Sequence, residues 1–190
     1  MANNIYKSPP EIPFEAVDAY TRDSTPQKLK KLVLDDNPFM HLNKNSFIGY
    51  SGLSMLSLSN VNLTTLSAHL LSKLDALEEL DLSRNKFSVV NHNSLPLRIK
   101  YLDLSKNSRL LHLSHDYLKN STLLELMLND CRILDVSLLN NLPVTMEKIW
   151  LYNNNWSCEC YLTELDHFEK SHLLDIYDFE KNPENYTSTG

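Results

Sequence analysis

Residues 77–90 read Leu77-Glu78-Glu79-Leu80-Asp81-Leu82-Ser83-Arg84-Asn85-Lys86-Phe87-Ser88-Val89-Val90. Apolar residues at 77, 80, 82, 87 and 90 around an asparagine at 85 form a template that recurs in both directions. Upstream it fits Leu29/Leu32/Leu34/Asn37/Phe39/Leu42 and Leu53/Leu56/Leu58/Val61/Leu63/Leu66. Downstream it fits Ile99/Leu102/Leu104/Asn107/Leu110/Leu113 with one extra residue, Leu123/Leu126/Leu128/Cys131/Ile133/Val136, and Met146/Ile149/Leu151/Asn154/Trp156. The starts at 29, 53, 77, 99, 123 and 146 differ by 24, 24, 22, 24 and 23. So regular a period decides the architecture before any local element is read. Within each copy, residues two apart such as Leu80 and Leu82 point to one side of a strand, so Asp81 and Ser83 face the other way. A single coil cannot close its own core, and six in tandem bury their leucines against one another. The expectation is an α/β repeat solenoid over 29–156, with an N-terminal flank or degenerate repeat over 1–28 and a distinct tail over 157–190.

Composition narrows the function. The chain of 190 residues carries a net charge of -6 and no block of Lys and Arg, which argues against a nucleic-acid surface because counterion release needs a concentrated basic face. No apolar run approaches the roughly 18 to 20 residues that span a bilayer, so membrane insertion within this chain is not expected. The opening Met1-Ala2-Asn3-Asn4-Ile5-Tyr6-Lys7 has no apolar signal core, which suits either a processed secreted chain or a cytosolic one. Four Asn-x-Ser/Thr triplets, at Asn62, Asn120, Asn155 and Asn185, favour secretion and are candidate N-glycosylation sites. No phosphate loop, zinc-binding helix motif or nucleophile elbow is present, so the chain is read as a binder without catalytic residues, cofactor or metal.

The template over about residues 29–156 resembles the leucine-rich-repeat family. That resemblance implies a curved stack with a parallel β-sheet on its concave side. It also implies that the asparagine amide satisfies buried backbone groups where the chain leaves the strand. Cys131 is a substitute the family uses at that position, whereas Val61 has no polar side chain, so water or Asn60 is expected to serve the turn there. Past the last repeat, Asn154-Asn155-Trp156-Ser157-Cys158-Glu159-Cys160 resembles the start of the cysteine-rich C-terminal cap of extracellular members, which usually have proline where Asn155 stands. Leu162, Leu165 and Phe168 at helical spacing suit a helical cap over the open end of the core. The family pairs each cap cysteine with one further downstream, but this chain holds only Cys131, Cys158 and Cys160. Cys158 and Cys160 are therefore disulfide candidates whose partners are absent from the chain, or free thiols.

The whole is similar to secreted insect immune leucine-rich-repeat proteins and to Toll-type ectodomains. The resemblance implies an extracellular module that binds a protein or other macromolecular ligand through its concave face and flanks, in innate immunity, receptor signalling or adhesion. Homo- or hetero-oligomers fit it equally. The alternative is a cytosolic scaffold that assembles signalling or ubiquitin-ligase partners.

Strand alternation places the candidate surface. One outward column runs Val33, Ser57, Asp81, Asp103, Met127, Trp150, and the next runs Asp35, Ser59, Ser83, Ser105, Asn129, Tyr152. Exposed Met and aromatic groups mark contact surfaces, because they gain much on desolvation. The ligand-binding candidates are accordingly Tyr101, Met127, Trp150, Tyr152 and Asn129, with Asp81 and Asp103. These two carboxylates sit side by side about 4.8 Å apart and repel unless a cation intervenes; Arg84, Lys106 and Lys148 are near in the template, and both a polar ladder and a ligand contact remain open. His112 and His115 read as solvated loop histidines, and Phe47 as a residue of the convex side. Six strands at about 4.8 Å, with a face some 13 Å deep, offer roughly 300 Å², well under the roughly 800 Å² per partner of a standard interface.

Overall fold

Every copy of the template contributes one strand, centred on its second leucine or isoleucine. They are β1 (Lys31–Val33), β2 (Met55–Ser57), β3 (Glu79–Asp81), β5 (Tyr101–Asp103), β7 (Glu125–Met127) and β8 (Lys148–Trp150). The computed structural model describes residues 28–38, 42–67, 69–134 and 136–155. The tail that carries Cys158, Cys160, Asn185 and the expected cap helix lies outside the described residues, as does nearly all of the N-terminal flank.

The six strands form one parallel sheet in the order β1-β2-β3-β5-β7-β8, without a shift of register. Leu32, Leu56, Leu80, Leu102, Leu126 and Ile149 therefore stand in one row. All six are buried, as are Leu58, Leu82, Leu104, Leu128 and Leu151 of the companion row, in one continuous core. Hydrogen bonding runs on past the strands: Leu58, Leu82, Leu104 and Leu128 donate their N–H to Asp81, Asp103, Met127 and Trp150 carbonyls at 2.8–2.9 Å.

Behind the sheet the coils return by more than one route. β4 (Val89–Val90) and β6 (His112–Leu113) pair in a second, two-stranded parallel sheet. One coil holds a short helix, α1 (His115–Asn120), whose Ser114 side chain accepts from the Tyr117 N–H at 3.4 Å. This turn buries Tyr117 and Leu118. The histidines are consequently not loop residues: His112 is an exposed member of β6 and His115 a half-buried first residue of α1, with ring centroids 5.6 Å apart. Phe47 also departs from expectation. The tight turns at 45–50 aim its ring into the core, where it is 1% exposed, while Ile48 beside it is 60% exposed.

Strand exits repeat one backbone device. Asp36, Asn60, Arg84, Lys106, Asp130 and Asn153, one per coil, have φ of 55–58°, the left-handed region. That twist turns the next side chain inward, where it meets the preceding coil. Asn85 Nδ2 donates to Leu58 O at 2.7 Å in the coil before it and to Leu82 O at 3.0 Å in its own, while its Oδ1 accepts from Val61 N at 3.2 Å and Leu63 N at 3.0 Å. Asn107 and Asn154 repeat the pattern, reaching back to Leu82 O and Leu128 O and accepting from Phe87 N and Ile133 N. The turn at Val61 is thus served by Asn85 of the next coil rather than by Asn60, whose amide goes to Asp36 Oδ1 at 2.8 Å. Cys131 fills the same role as a thiol: its Sγ donates to Leu104 O at 3.3 Å. Burial pushes that thiol up to about 12, against the backbone hydrogen bond from Asn107, so it is a structural group rather than a nucleophile.

Candidate functional site

The outward face of the large sheet has two in-register columns. One runs Lys31, Met55, Glu79, Tyr101, Glu125, Lys148, and the other Val33, Ser57, Asp81, Asp103, Met127, Trp150. Tyr101 thus stands between Glu79 and Glu125, and Met127 between Asp103 and Trp150. Tyr101 is exposed, whereas Met127, Trp150 and Tyr152 are half-buried. The structure brings these groups together at the C-terminal end of the sheet.

Asn129 does not join them. It is 6% exposed, and its amide donates to Asp130 Oδ2 at 2.7 Å. Ser83 and Ser105 of the same column are buried too, and the Ser59 and Ser83 hydroxyls meet at 2.9 Å. Strict alternation placed this column outward, but the left-handed residue that follows it bends the chain and draws the short side chains under the sheet's edge. Asp35, Ser59 and Tyr152 keep partial exposure in that column.

Asp81 and Asp103 are adjacent, as expected, and of the cations that the template suggested Lys106 acts on Asp103 while Lys148 turns to Glu125. Lys148 pairs with Glu125 at 4.0 Å and Lys100 with Glu78 at 2.9 Å. The aspartates also accept from the turn behind them: Asp81 Oδ1 from Ser83 N at 2.8 Å and Asp103 Oδ1 from Ser105 N at 2.7 Å. A link that the residue pattern did not reveal is Ser57, whose hydroxyl donates to Asp35 Oδ1 at 2.5 Å and lies 3.2 Å from Asp81 Oδ2. Desolvation raises the Asp103 carboxyl above the ordinary aspartate value. The Asp81 charge adds to this, while the Ser105 hydroxyl and N–H and Lys106 oppose it. Glu79 and Glu125, which flank Tyr101 in its column, were also missed; their signal was present in the residue before each central leucine.

Among the remaining candidates, Asn62, Asn120 and Asn155 are exposed. Asn62 and Asn120 use their amides on Pro38 O at 3.3 Å and Asp116 O at 2.8 Å. Among the described residues no group of three or more His, Cys, Asp or Glu is arranged to hold a metal ion, and no helix is long and apolar enough to cross a membrane.

An in-register parallel sheet, a single leucine core and amides that join successive coils define a leucine-rich-repeat solenoid, and the family model described as leucine rich repeat matches residues 27–87. The chain is similar to Toll-like receptor 5 of Homo sapiens, with 34% identity over 96 residues that cover 46% of this chain and 11% of the receptor. Among solved structures it resembles the TLR13–ssRNA13 complex, with a TM-score of 0.60 and 26% identity over 69% of this chain and 19% of that one. An internalin C2 from Listeria monocytogenes shares the fold, with a TM-score of 0.54 and 24% identity over 75% of this chain and 61% of the other. The chain therefore spans a small part of the receptors that it resembles.

Proposed function

We propose that the chain is an extracellular recognition module that binds a protein ligand through the C-terminal half of its outward sheet face and the flanks beside it. One observation carries this reading: Met127 and Trp150 occupy the row opposite the buried leucines, where core packing does not require large side chains. The similarity to Toll-like receptors supports a receptor-type setting in innate immunity, signalling or adhesion. The RNA of the TLR13 complex belongs to that protein; here Asp35, Asp81 and Asp103 line the face and the net charge is -6, which repels phosphates. A face of roughly 300 Å² is small for a stable protein complex, so the flanks, the tail after 156 as a partial cap, or a second protomer complete the interface. Cys158 and Cys160 are proposed to pair with cysteines outside this chain.

The test is an arrayed panel of recombinant secreted proteins probed with the chain made in a secretory host. Trp150→Ala or Tyr152→Ala is expected to weaken a hit by about 2 kcal/mol or more, as central hot-spot truncations do, whereas Ile48→Ala leaves it unchanged. A hit that ignores both aromatics and falls with Ile48→Ala moves the interface to the opposite side. Glycans at Asn62, Asn120 or Asn155 in the same material support the extracellular setting, and free thiols with bare asparagines favour a cytosolic scaffold.

A further inference from the structure

The proposed binding face changes character along one row, and that change specifies its occupant. Resting on the sheet-face reading above, we infer that it takes an extended peptide segment crossing the strands, with a basic side chain followed at the second and fourth positions by apolar ones. The row runs Asp81, Asp103, Met127, Trp150 across β3, β5, β7 and β8 in strict register. Its acidic half is answered only in part: Lys106 acts on Asp103, while Lys148 pairs with Glu125 and Lys100 with Glu78. Ser57 donates its hydroxyl to Asp35 Oδ1 and lies 3.2 Å from Asp81 Oδ2, so a third carboxylate continues the acidic end of the face. An incoming cation adds to the charge that Lys106 supplies to one aspartate, and a planar guanidinium suits two adjacent carboxylates through its fork of donors.

Spacing fixes the rest. Strands lie about 4.8 Å apart, so Met127 is about 7 Å and Trp150 about 12 Å from the midpoint of the two aspartates. An extended chain advances about 3.3 Å per residue with alternate side chains on one face, which puts the second residue at about 6.6 Å and the fourth at about 13 Å. A basic group over the aspartates therefore brings apolar side chains over Met127 and Trp150. Glu79 and Tyr101, in the flanking column, border the same path.

The probe is a peptide capped at both ends, Gly-Arg-Ser-Leu-Ser-Leu-Gly, with its reversed-order counterpart, titrated into the isotope-labelled full chain. Backbone amide shifts at Asp81, Asp103, Met127 and Trp150 are the readout. One of the two orders is expected to give saturable shifts, weakened at least fivefold by Glu in place of Arg in the peptide or by Asp81→Asn with Asp103→Asn in the protein. Asparagine retains the acceptor for Ser83 N and Ser105 N, and a dispersed amide spectrum verifies that the variant is folded. Absence of saturable shifts with both orders, or affinity untouched by the double asparagine variant, overturns the inference. Loss with Trp150→Ala but not with the asparagines removes the basic segment and keeps the sheet-face reading; indifference to both sets removes both.

Discussion

An asparagine amide has two donor hydrogens and two acceptor lone pairs, and Asn85 commits both kinds to backbone groups of two coils. Its truncation leaves those groups buried without partners, which costs more than the bonds themselves contribute. Asn85→Ala is expected to lower stability by about 3 kcal/mol or more in urea unfolding. Asn37→Ala, at a half-buried side chain that among the described residues donates to Leu34 O and Asp35 O of its own coil, should cost clearly less. Equal losses at the two positions would contradict the inter-coil role. Asp103 gives a prediction with a sign. Its folded carboxyl is raised by desolvation, so the folded state holds the proton more tightly than the unfolded one. Stability is then lost as pH rises from the ordinary aspartate value through the raised one. Asp103→Asn should be the more stable form at pH 7, with the gain vanishing near pH 3; a difference between the two proteins that ignores pH refutes the shift.

The strand exits are the element at which side-chain chemistry and backbone geometry disagree most. Asn60 and Asn153 suit the left-handed region, but Arg84 and Lys106 adopt it as long-chain residues. Lys106→Asn is expected to raise stability by up to about 1 kcal/mol, since asparagine tolerates this conformation; Lys106→Ala should bring no such gain. A calorimetric comparison of the two separates backbone relief from the loss of a charge. The strands themselves were legible because leucines two apart admit one reading, and register followed from the repeat. The pairing of β4 with β6 was not, because Val89 and His112 have no common signature. Nor was the burial of Asn129, because alternation stops applying where φ turns positive. The turn at Val61 was misread for a related reason: a residue type shows that a donor is missing, not which coil supplies it.

In the stack as a whole, a coil's stability depends on its neighbours, so position along the array matters as much as residue type. Leu104 is 0% exposed with coils on both sides, and Leu104→Ala should cost roughly 2 to 5 kcal/mol. Leu34, chemically identical but half-buried in the coil of β1, should cost less on the same change; an unchanged urea midpoint for Leu104→Ala would refute the assigned core. The reach of the asparagines adds an order in time. Leu58 O receives its donor from a residue 27 positions later, so during synthesis the second coil has all its own atoms well before it has its last hydrogen bonds. A growing chain emerging from the ribosome therefore always trails one coil that is assembled but not yet fastened. A duplication or recombination joint that falls between Leu58 and Asn85 puts at risk the coil upstream of the break, not the one it enters.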